Sequence, residues 1–310
     1  MLPSFFRGLM SFLIFIVTTA FGLSCFAGSE CDYNPGTVLE FHTEGEFIYD
    51  QFGRVVLFRG ANTPGNYDYP FPYGPKDIDI LKKFGFNFIR IGISWKETNR
   101  NIVYAPHPYF PHAYLPGKGL TILWKETPKD VRAKYKRYKK DAERMSAPLL
   151  IGEYGAPRPS QFTFVTDWIK ENLHMQDQLF IGSAVWVYHP SDGDWGIINH
   201  NREIKPYYFN ILRRPYPRYT AGKPIELLYS PESKSFRYKY YGAAMGAPTE
   251  IYYPQDLFSS SEVNISASCD LKWSYDRAEE VIYIQSGCEG EIEVKIKDKE
   301  GQLDNLREAM

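Results

Sequence analysis

The stretch Leu149–Pro157, LLIGEYGAP, sets one carboxylate between two glycines at the end of an apolar run. Leu149-Leu150-Ile151 reads as a buried strand. Gly152 and Gly155 let the backbone turn sharply where that strand stops. Glu153 is therefore expected at the carboxyl end of a buried parallel strand, where α/β enzymes hold their chemistry. The plain alternative is a solvated Glu in a strand-to-loop turn. Other groups able to act on or hold a substrate recur at further strand ends: Arg90 in FNFIRIGISW, His107 and Tyr109 in HPY, and Trp186 in SAVWVY. Each has a structural alternative: an ion-pair partner, a satisfied loop histidine or a core aromatic.

The elements that must position these groups are legible as a pattern. Phe47–Phe58 reads as a β-hairpin turning at Asp50-Gln51-Phe52-Gly53. Pro75–Phe84 reads as an amphipathic helix with Ile78, Leu81 and Phe84 on one face, ended by Gly85. Asn87–Ile93 is the next strand, which makes a βαβ unit with parallel pairing. Ile102-Val103-Tyr104 is a short third strand. Thr127–Met145 is a helix with Thr127 as N-cap and Pro128 in its first turn. Its basic run Lys134–Lys140 reads as a solvated face. A strand over Leu149–Gly152, a helix over Phe162–Leu173 and a strand over Phe180–Tyr188 complete the alternation. Pro215-Tyr216-Pro217 reads as a linker. Short alternating strands follow at Phe236–Tyr241, Thr249–Tyr253, Leu271–Tyr275, Val281–Gln285 and Glu291–Ile296, as in a small β-sandwich.

The 310 residues carry a net charge of -1, which offers no basic footprint for nucleic acid. Residues 1–27 read as a signal peptide: Arg7, an apolar stretch Leu9–Leu23, and Cys25-Phe26-Ala27 as cleavage site. The apolar stretch falls short of the roughly 20 residues that a membrane span needs. A secreted or lysosomal location follows as an expectation, and with it disulfides. Cys269 and Cys288, in neighbouring strand-like segments, are the expected pair, which leaves Cys31 over. Asn264-Ile265-Ser266 is an N-glycosylation sequon. Domains are expected at 28–213 and 214–310.

Taken together, RGANTPGN (Arg59–Asn66), GFNFIRIGISW (Gly85–Trp95), YAPHPY (Tyr104–Tyr109), LLIGEYGAP and SAVWVYHPSDGDWGIIN (Ser183–Asn199) resemble glycoside hydrolase family 5, and within it the endoglycoceramidases. The resemblance implies a (β/α)8 TIM-type barrel with a C-terminal β-sandwich. It also implies retaining hydrolysis of β-glycosidic bonds, here the bond between glycan and ceramide. Glu153 becomes the nucleophile that attacks the anomeric carbon and later leaves it. Arg90 keeps it ionised, His107 and Tyr109 hydrogen-bond around it, and Trp186 forms a floor for the sugar. Asp192, Asp194 and Trp195 line the cleft. The implied partners are a glycosphingolipid or other β-glycoside substrate and peripheral contact with a lipid surface, with no obligate protein partner. The chemistry calls for no cofactor and no metal.

A retaining glycosidase needs a second carboxyl about 5–5.5 Å from the first. The family places it in an Asn-Glu pair ending strand four, and no Asn-Glu pair occurs in this sequence. Strands resembling the family's one, two, six, seven and eight are present, whereas strands three to five have no counterpart. The resemblance jumps between Trp95 and Asn101. The incomplete barrel leaves two rival expectations: a non-catalytic glycan- or glycolipid-binding protein, or a shortened product without a stable fold.

Overall fold

The structure, a computed structural model, describes residues 40–63, 74–91, 103–111, 113–115, 119–121, 126–157, 162–190, 195–258 and 261–298. The expected signal peptide, Cys31 and the junction at 95–101 lie outside them.

Strands β1 (Phe41–Glu44), β2 (Phe47–Asp50) and β3 (Val55–Val56) open the described chain. The α/β part follows: β4 (Arg59–Thr63), α1 (Pro75–Lys83), β5 (Phe88–Ile91), a small hairpin β6–β7 (Ala113–Leu115, Gly119–Thr121), α2 (Pro128–Arg144), β8 (Leu150–Tyr154), α3 (Thr163–Gln178), β9 (Gly182–Val185) and α4 (Pro206–Leu212). The β-rich part holds β10 (Tyr216–Thr220), β11 (Gly222–Ser230), β12 (Ser235–Gly242), β13 (Thr249–Tyr252), β14 (Ser261–Ala267), β15 (Leu271–Asp276), β16 (Val281–Ser286) and β17 (Gly290–Asp298).

β5, β4, β9 and β8 pair in that order, all parallel. Beyond β8, Tyr104 bridges Leu149 and Tyr109 bridges Gly155, again parallel. Of the expected third strand Ile102–Tyr104, the described residues keep one isolated bridge, at Tyr104. Pro106 and Pro108, which follow it, lack the backbone N–H groups that would continue the ladder to Tyr109. The described strands form an open arc, and closure into a barrel is not seen among the described residues.

The arc is curved. Three strand spacings of about 4.8 Å separate β5 from β8, or about 14 Å along a flat sheet. On a flat sheet their side chains would stand side by side, perpendicular to it. Arg90 of β5 nevertheless reaches Glu153 of β8 at 2.8 Å. The inner faces of the two strands must therefore turn toward each other.

Helices α1, α2 and α3 pack on this sheet through Leu81, Phe84, Val131, Tyr135, Val165, Trp168 and Ile169, all buried. α2 begins as its sequence dictates: the Thr127 side chain accepts from the Asp130 amide, and Asp130 reaches back to the Thr127 amide. In its basic run Lys136, Arg137 and Lys140 are exposed as expected, while Tyr135 and Tyr138 are core. The face of α1 differs from expectation. Ile78 is 45% exposed and Asp77 is fully buried. The Asp77 carboxylate accepts hydrogen bonds from the Tyr188 hydroxyl (2.6 Å) and Arg202 (2.8 Å), so paired charge displaces the apolar residue from the inward position. α3 runs to Gln178, beyond the expected Leu173, because Gln176 and Asp177 find buried partners in Ser183, Tyr135 and Arg59.

The β-rich part is a two-sheet sandwich. One sheet runs β11-β12-β17-β14; the other runs β1-β2-β3-β10-β13-β16-β15. Ile292, Val294 and Ile296 of β17 point inward at alternate positions, against Phe236, Tyr238 and Ile282. The Cys269–Cys288 disulfide forms as expected, and among the described residues no cysteine is free. Pro215-Tyr216-Pro217 is not a linker. Tyr216 begins β10, pairs with Tyr252 of β13, and donates from its hydroxyl to the Gly85 carbonyl at 2.8 Å. Two prolines hid the strand, yet the bulge between Pro217 and Tyr219 accommodates the missing N–H.

β3 pairs with β10, so the N-terminal hairpin belongs to the C-terminal sheet although it lies within the stretch assigned from sequence to the first domain. Arg54 locks this arrangement. It is wholly buried and donates to Asp50 (2.7 Å), Glu250 (2.7 Å) and the Pro248 carbonyl (2.8 Å). Gly85 is a second lock: its φ of +77° suits glycine, and a Cβ there would lie 2.1 Å from the Tyr252 ring.

Removing Arg54 strands two buried carboxylates. Arg54→Met is expected to lower the unfolding free energy by about 3–5 kcal/mol in urea titrations. The Cys269–Cys288 bridge spans 19 residues, and losing that loop constraint in the Cys269→Ser/Cys288→Ser variant is expected to lower stability by about 3 kcal/mol. A Tm unchanged from the parent chain would refute the second expectation.

Candidate active site

The carboxyl ends of the parallel strands converge on Glu153. β8 carries it as the fourth of five buried residues. The register between β8 and β9 shifts between Ile151 and Tyr154, so Gly152 and Glu153 fall out of the ladder. That irregularity frees the Gly152 carbonyl from strand pairing and turns Glu153 to the inner face. Gly152 has a second reason to be glycine: a Cβ there would lie 2.7 Å from His107 Nε2 and 3.2 Å from Ala105 Cβ. The segment after Tyr104 can then lie close enough to bring His107 and Tyr109 onto the carboxylate.

Glu153 is 8% exposed. One carboxylate oxygen, Oε1, accepts from Arg90 Nη1 at 2.8 Å. The other, Oε2, accepts from the Tyr109 hydroxyl and lies 3.3 Å from His107 Nδ1. Burial alone pushes the carboxyl up. The hydrogen bonds from His107, Tyr109 and Arg90, with the field of His107, outweigh it and hold the group down at about 2. Burial, and then the bond to Glu153, push the Tyr109 hydroxyl far above the usual phenol range, so it remains a donor.

Sequence expectation and geometry therefore meet at Glu153, Arg90, His107 and Tyr109. Trp195 joins them: its ring meets Tyr109 edge-on with centroids 5.5 Å apart and lies beside Gly155. Trp186 directly follows β9, half-buried, and its amide donates to the Tyr154 carbonyl at 2.8 Å. The Trp186–Val187 peptide bond is cis. Asp192 and Asp194 lie outside the described residues. Asn264 is exposed on β14, far in the fold from this site. The partners of Glu153 are a guanidinium, an imidazole and a phenol, and none of them is a carboxyl.

One residue escaped the reading of the sequence. Asn62 of β4 is 1% exposed, directly opposite Arg90 in the parallel register. Its Oδ1 accepts from Arg90 Nη1 at 2.6 Å, and its Nδ2 faces the carbonyls of Gly152, Ala184 and Val185 at 3.1, 3.1 and 3.3 Å. The available signal was an amide inside a strand whose five residues are all buried. Such an amide is costly unless it is bonded on both ends.

A carboxylate at the ends of parallel strands, held at one oxygen by a guanidinium and at the other by a phenol, is the arrangement that a carboxylate nucleophile needs. The comparisons with known proteins name the relationship. Residues 214–297 match the Glycoside hydrolase family 5 C-terminal domain. Endoglycoceramidase I of Rhodococcus hoagii is 40% identical over 68 residues, which are 20% of this chain and 13% of that protein. A glucosylceramidase of Cryptococcus neoformans is 26% identical over 259 residues, covering 62% of this chain and 35% of the relative. The solved endo-glycoceramidase II from Rhodococcus sp., in an iminocyclitol complex, superposes with a TM-score of 0.50 at 24% identity. That match covers 64% of this chain and 44% of the other. The chain is thus similar to endoglycoceramidases and glucosylceramidases and carries a region matching the C-terminal domain of glycoside hydrolase family 5, and it spans less than half the length of each of these relatives.

The depressed Glu153 carboxyl links stability to pH. Its folded value, about 2, lies below the ordinary 4.5, so its contribution is complete above pH 4.5 and is lost as pH falls through about 2. At 1.36 kcal/mol per unit this amounts to at most about 3 kcal/mol. Glu153→Gln is expected to be less stable than the parent at pH 6, with the gap closing as pH falls from 4.5 toward 2. Unfolding titrations at stepped pH measure this, and a gap independent of pH would exclude the assignment.

Proposed function

We propose that this chain is a retaining β-glycosidase of the glycolipid-directed kind, with Glu153 as nucleophile and without the proton donor that a ceramide glycoside requires. The observation that carries the reading is the state of Glu153: ionised, oriented at both oxygens, and placed at the open end of the parallel strands. A nucleophilic carboxylate must be charged at working pH, and Arg90, His107 and Tyr109 keep it so. Glu153 forms a C–O bond to the anomeric carbon while the glycosidic C–O bond breaks and its electron pair leaves on oxygen. Water then releases the sugar and restores the carboxylate.

The leaving oxygen decides which substrates react. An alkoxide departing from ceramide needs a proton, and the loss of a general acid typically costs about 10²–10⁴ in rate. A dinitrophenolate leaves as a stable anion and needs none. The homology to proteins named endoglycoceramidase and glucosylceramidase supports a glycolipid as the natural ligand. Trp186, directly after β9, and Trp195, against the Tyr109 ring, are half-buried and suit the apolar faces of sugar rings. The disulfide and the leader-like first 27 residues support passage through an oxidising, secretory compartment.

The test is intact-mass analysis after incubation with a 2,4-dinitrophenyl 2-deoxy-2-fluoro-β-glucoside or β-lactoside. One covalent glycosyl group is expected on the peptide carrying Glu153 and none in Glu153→Gln, while natural glycosphingolipid stays intact. An unlabelled Glu153 in folded protein would overturn the nucleophile assignment, and release of glycan from glycosphingolipid would overturn the missing acid. The rival reading, a glycolipid-binding protein without chemistry, predicts micelle binding that Trp186→Ala abolishes in a chain that never becomes labelled.

A further inference from the structure

We infer that Asn62 is a positioning residue of the Glu153 site: its side-chain amide joins the ends of four parallel strands and holds Arg90 and the Gly152 carbonyl where Glu153 needs them. The inference deepens the glycosidase reading and takes its catalytic meaning from it.

The argument starts from the break in the β8 ladder. Gly152 and Glu153 lie between the paired positions Ile151 and Tyr154. The Gly152 amide is satisfied by the Pro106 carbonyl at 3.1 Å. The Gly152 carbonyl points inward instead and accepts from two side chains, Asn62 Nδ2 at 3.1 Å and Arg90 Nη1 at 3.2 Å. A buried carbonyl without such donors would carry its full desolvation penalty, so the irregularity that aims Glu153 is tenable only because these donors reach it.

Asn is the side chain that fits. Its acceptor end takes Arg90 Nη1 at 2.6 Å, and its donor end serves Gly152 on β8 and Ala184 and Val185 on β9. Arg90 Nη1 thus has three acceptors: Asn62 Oδ1, the Gly152 carbonyl and Glu153 Oε1. Two neutral oxygens fix the guanidinium without consuming its charge, which remains available to the one anion. An Asp in place of Asn62 would break this division of labour. It would take the charge of Arg90 for itself, add a second anion to the pocket, and lose the donors to β8 and β9. A Leu or Ala would remove one acceptor from Arg90 and the Asn62 donor from the carbonyls of Gly152, Ala184 and Val185. The Asn62 main chain is used as well: its carbonyl accepts from the Tyr188 amide at 2.9 Å, so β4 is anchored just where the side chain projects.

Among the described residues, the charged and titratable groups facing Glu153 are Arg90, His107 and Tyr109, from β5 and from the segment beyond Tyr104. Only Arg90 is held by Asn62, so the effect of Asn62 on the carboxylate is separable from that of the other two.

The experiment is carbon-13 NMR titration of the glutamate side-chain carboxyls in the full chain, with Glu153 assigned by loss of its signal in Glu153→Gln. No substrate is involved. In Asn62→Ala and Asn62→Asp the Glu153 midpoint is expected to rise by about one unit or more, the Asp variant more than the Ala variant. Tyr135→Phe, which removes a buried hydrogen bond between α2 and α3, is expected to lower the Tm and leave the midpoint in place. Should Asn62→Ala fail to fold, Asn62→Ser takes its place. A folded Asn62 variant whose Glu153 titrates as in the parent would overturn the inference. The fluoroglycoside label separates the two claims. A shifted midpoint in a chain that is never labelled keeps Asn62 as organiser of the carboxylate and removes the glycosidase. Normal labelling with an unshifted midpoint does the reverse.

Discussion

A carboxylate with little access to water must be paired, because transfer of an isolated charge out of water costs more than folding can supply. Glu153 is held under that constraint, and much of the α/β part follows from it. The guanidinium that pairs with Glu153 sits on β5, three strands away along the sheet. The sheet has to curve for the pair to form. Curvature at that point is accompanied by a break in the β8 ladder, and the break leaves a carbonyl that side chains must satisfy. Asn62 and Arg90 do both jobs at once, and for that reason the pair lies in direct register on β4 and β5. The second oxygen of Glu153 is met from the other flank by Tyr109 and His107, which approach because Gly152 has no side chain in their way.

Beneath the site the same rule is applied away from the chemistry. Asp177 at the end of α3 is nearly inaccessible and receives Arg59 from β4 and Arg214 from the start of the sandwich. Arg213 reaches Asp256, Glu280 and the Tyr252 hydroxyl. Of these, the buried Asp177 ties α3 to β4 and to the residues leading into β10, ordering two long side chains against one fixed partner. A buried pair adds little net stability over apolar packing, but removing one member is severe. Such pairs therefore specify how the two parts meet more than they strengthen the meeting. The sandwich in turn takes its outer strands β1 to β3 from before the α/β part, so the α/β layer is inserted into a β-domain held at both ends by Arg54.

Local patterns were readable where one physical period dominated. α2 carries both its cap and its stripe in its own sequence, and β17 alternates without interruption. Strand ends bearing Glu153, Arg90, His107 and Tyr109 could be found because polar residues interrupt apolar runs there. Reading failed where a tertiary partner reversed a local preference. Asp77 displaces Ile78 from the inner face of α1 because Tyr188 and Arg202, more than a hundred residues away, satisfy it. Tyr216 lies between two prolines and still begins a central strand, because its neighbours and the Gly85 carbonyl compensate. Asn62 looked like an ordinary residue of a strand end.

By itself the sequence determined the alternation of strands and helices, the passage to a strand-rich C-terminal part, the Cys269–Cys288 pair and the residue types able to act at strand ends. These follow from periodicity, turn chemistry and side-chain functional groups, which are properties of short segments. Only the tertiary structure decided which of those residues share a site, that the sheet curves enough for Arg90 to reach Glu153, that the hairpin before β4 belongs to the distant sandwich, and that Asn62 ties the strands together. Each of these depends on partners remote in sequence. A buried polar group is stable only with such partners, and no local pattern records who they are.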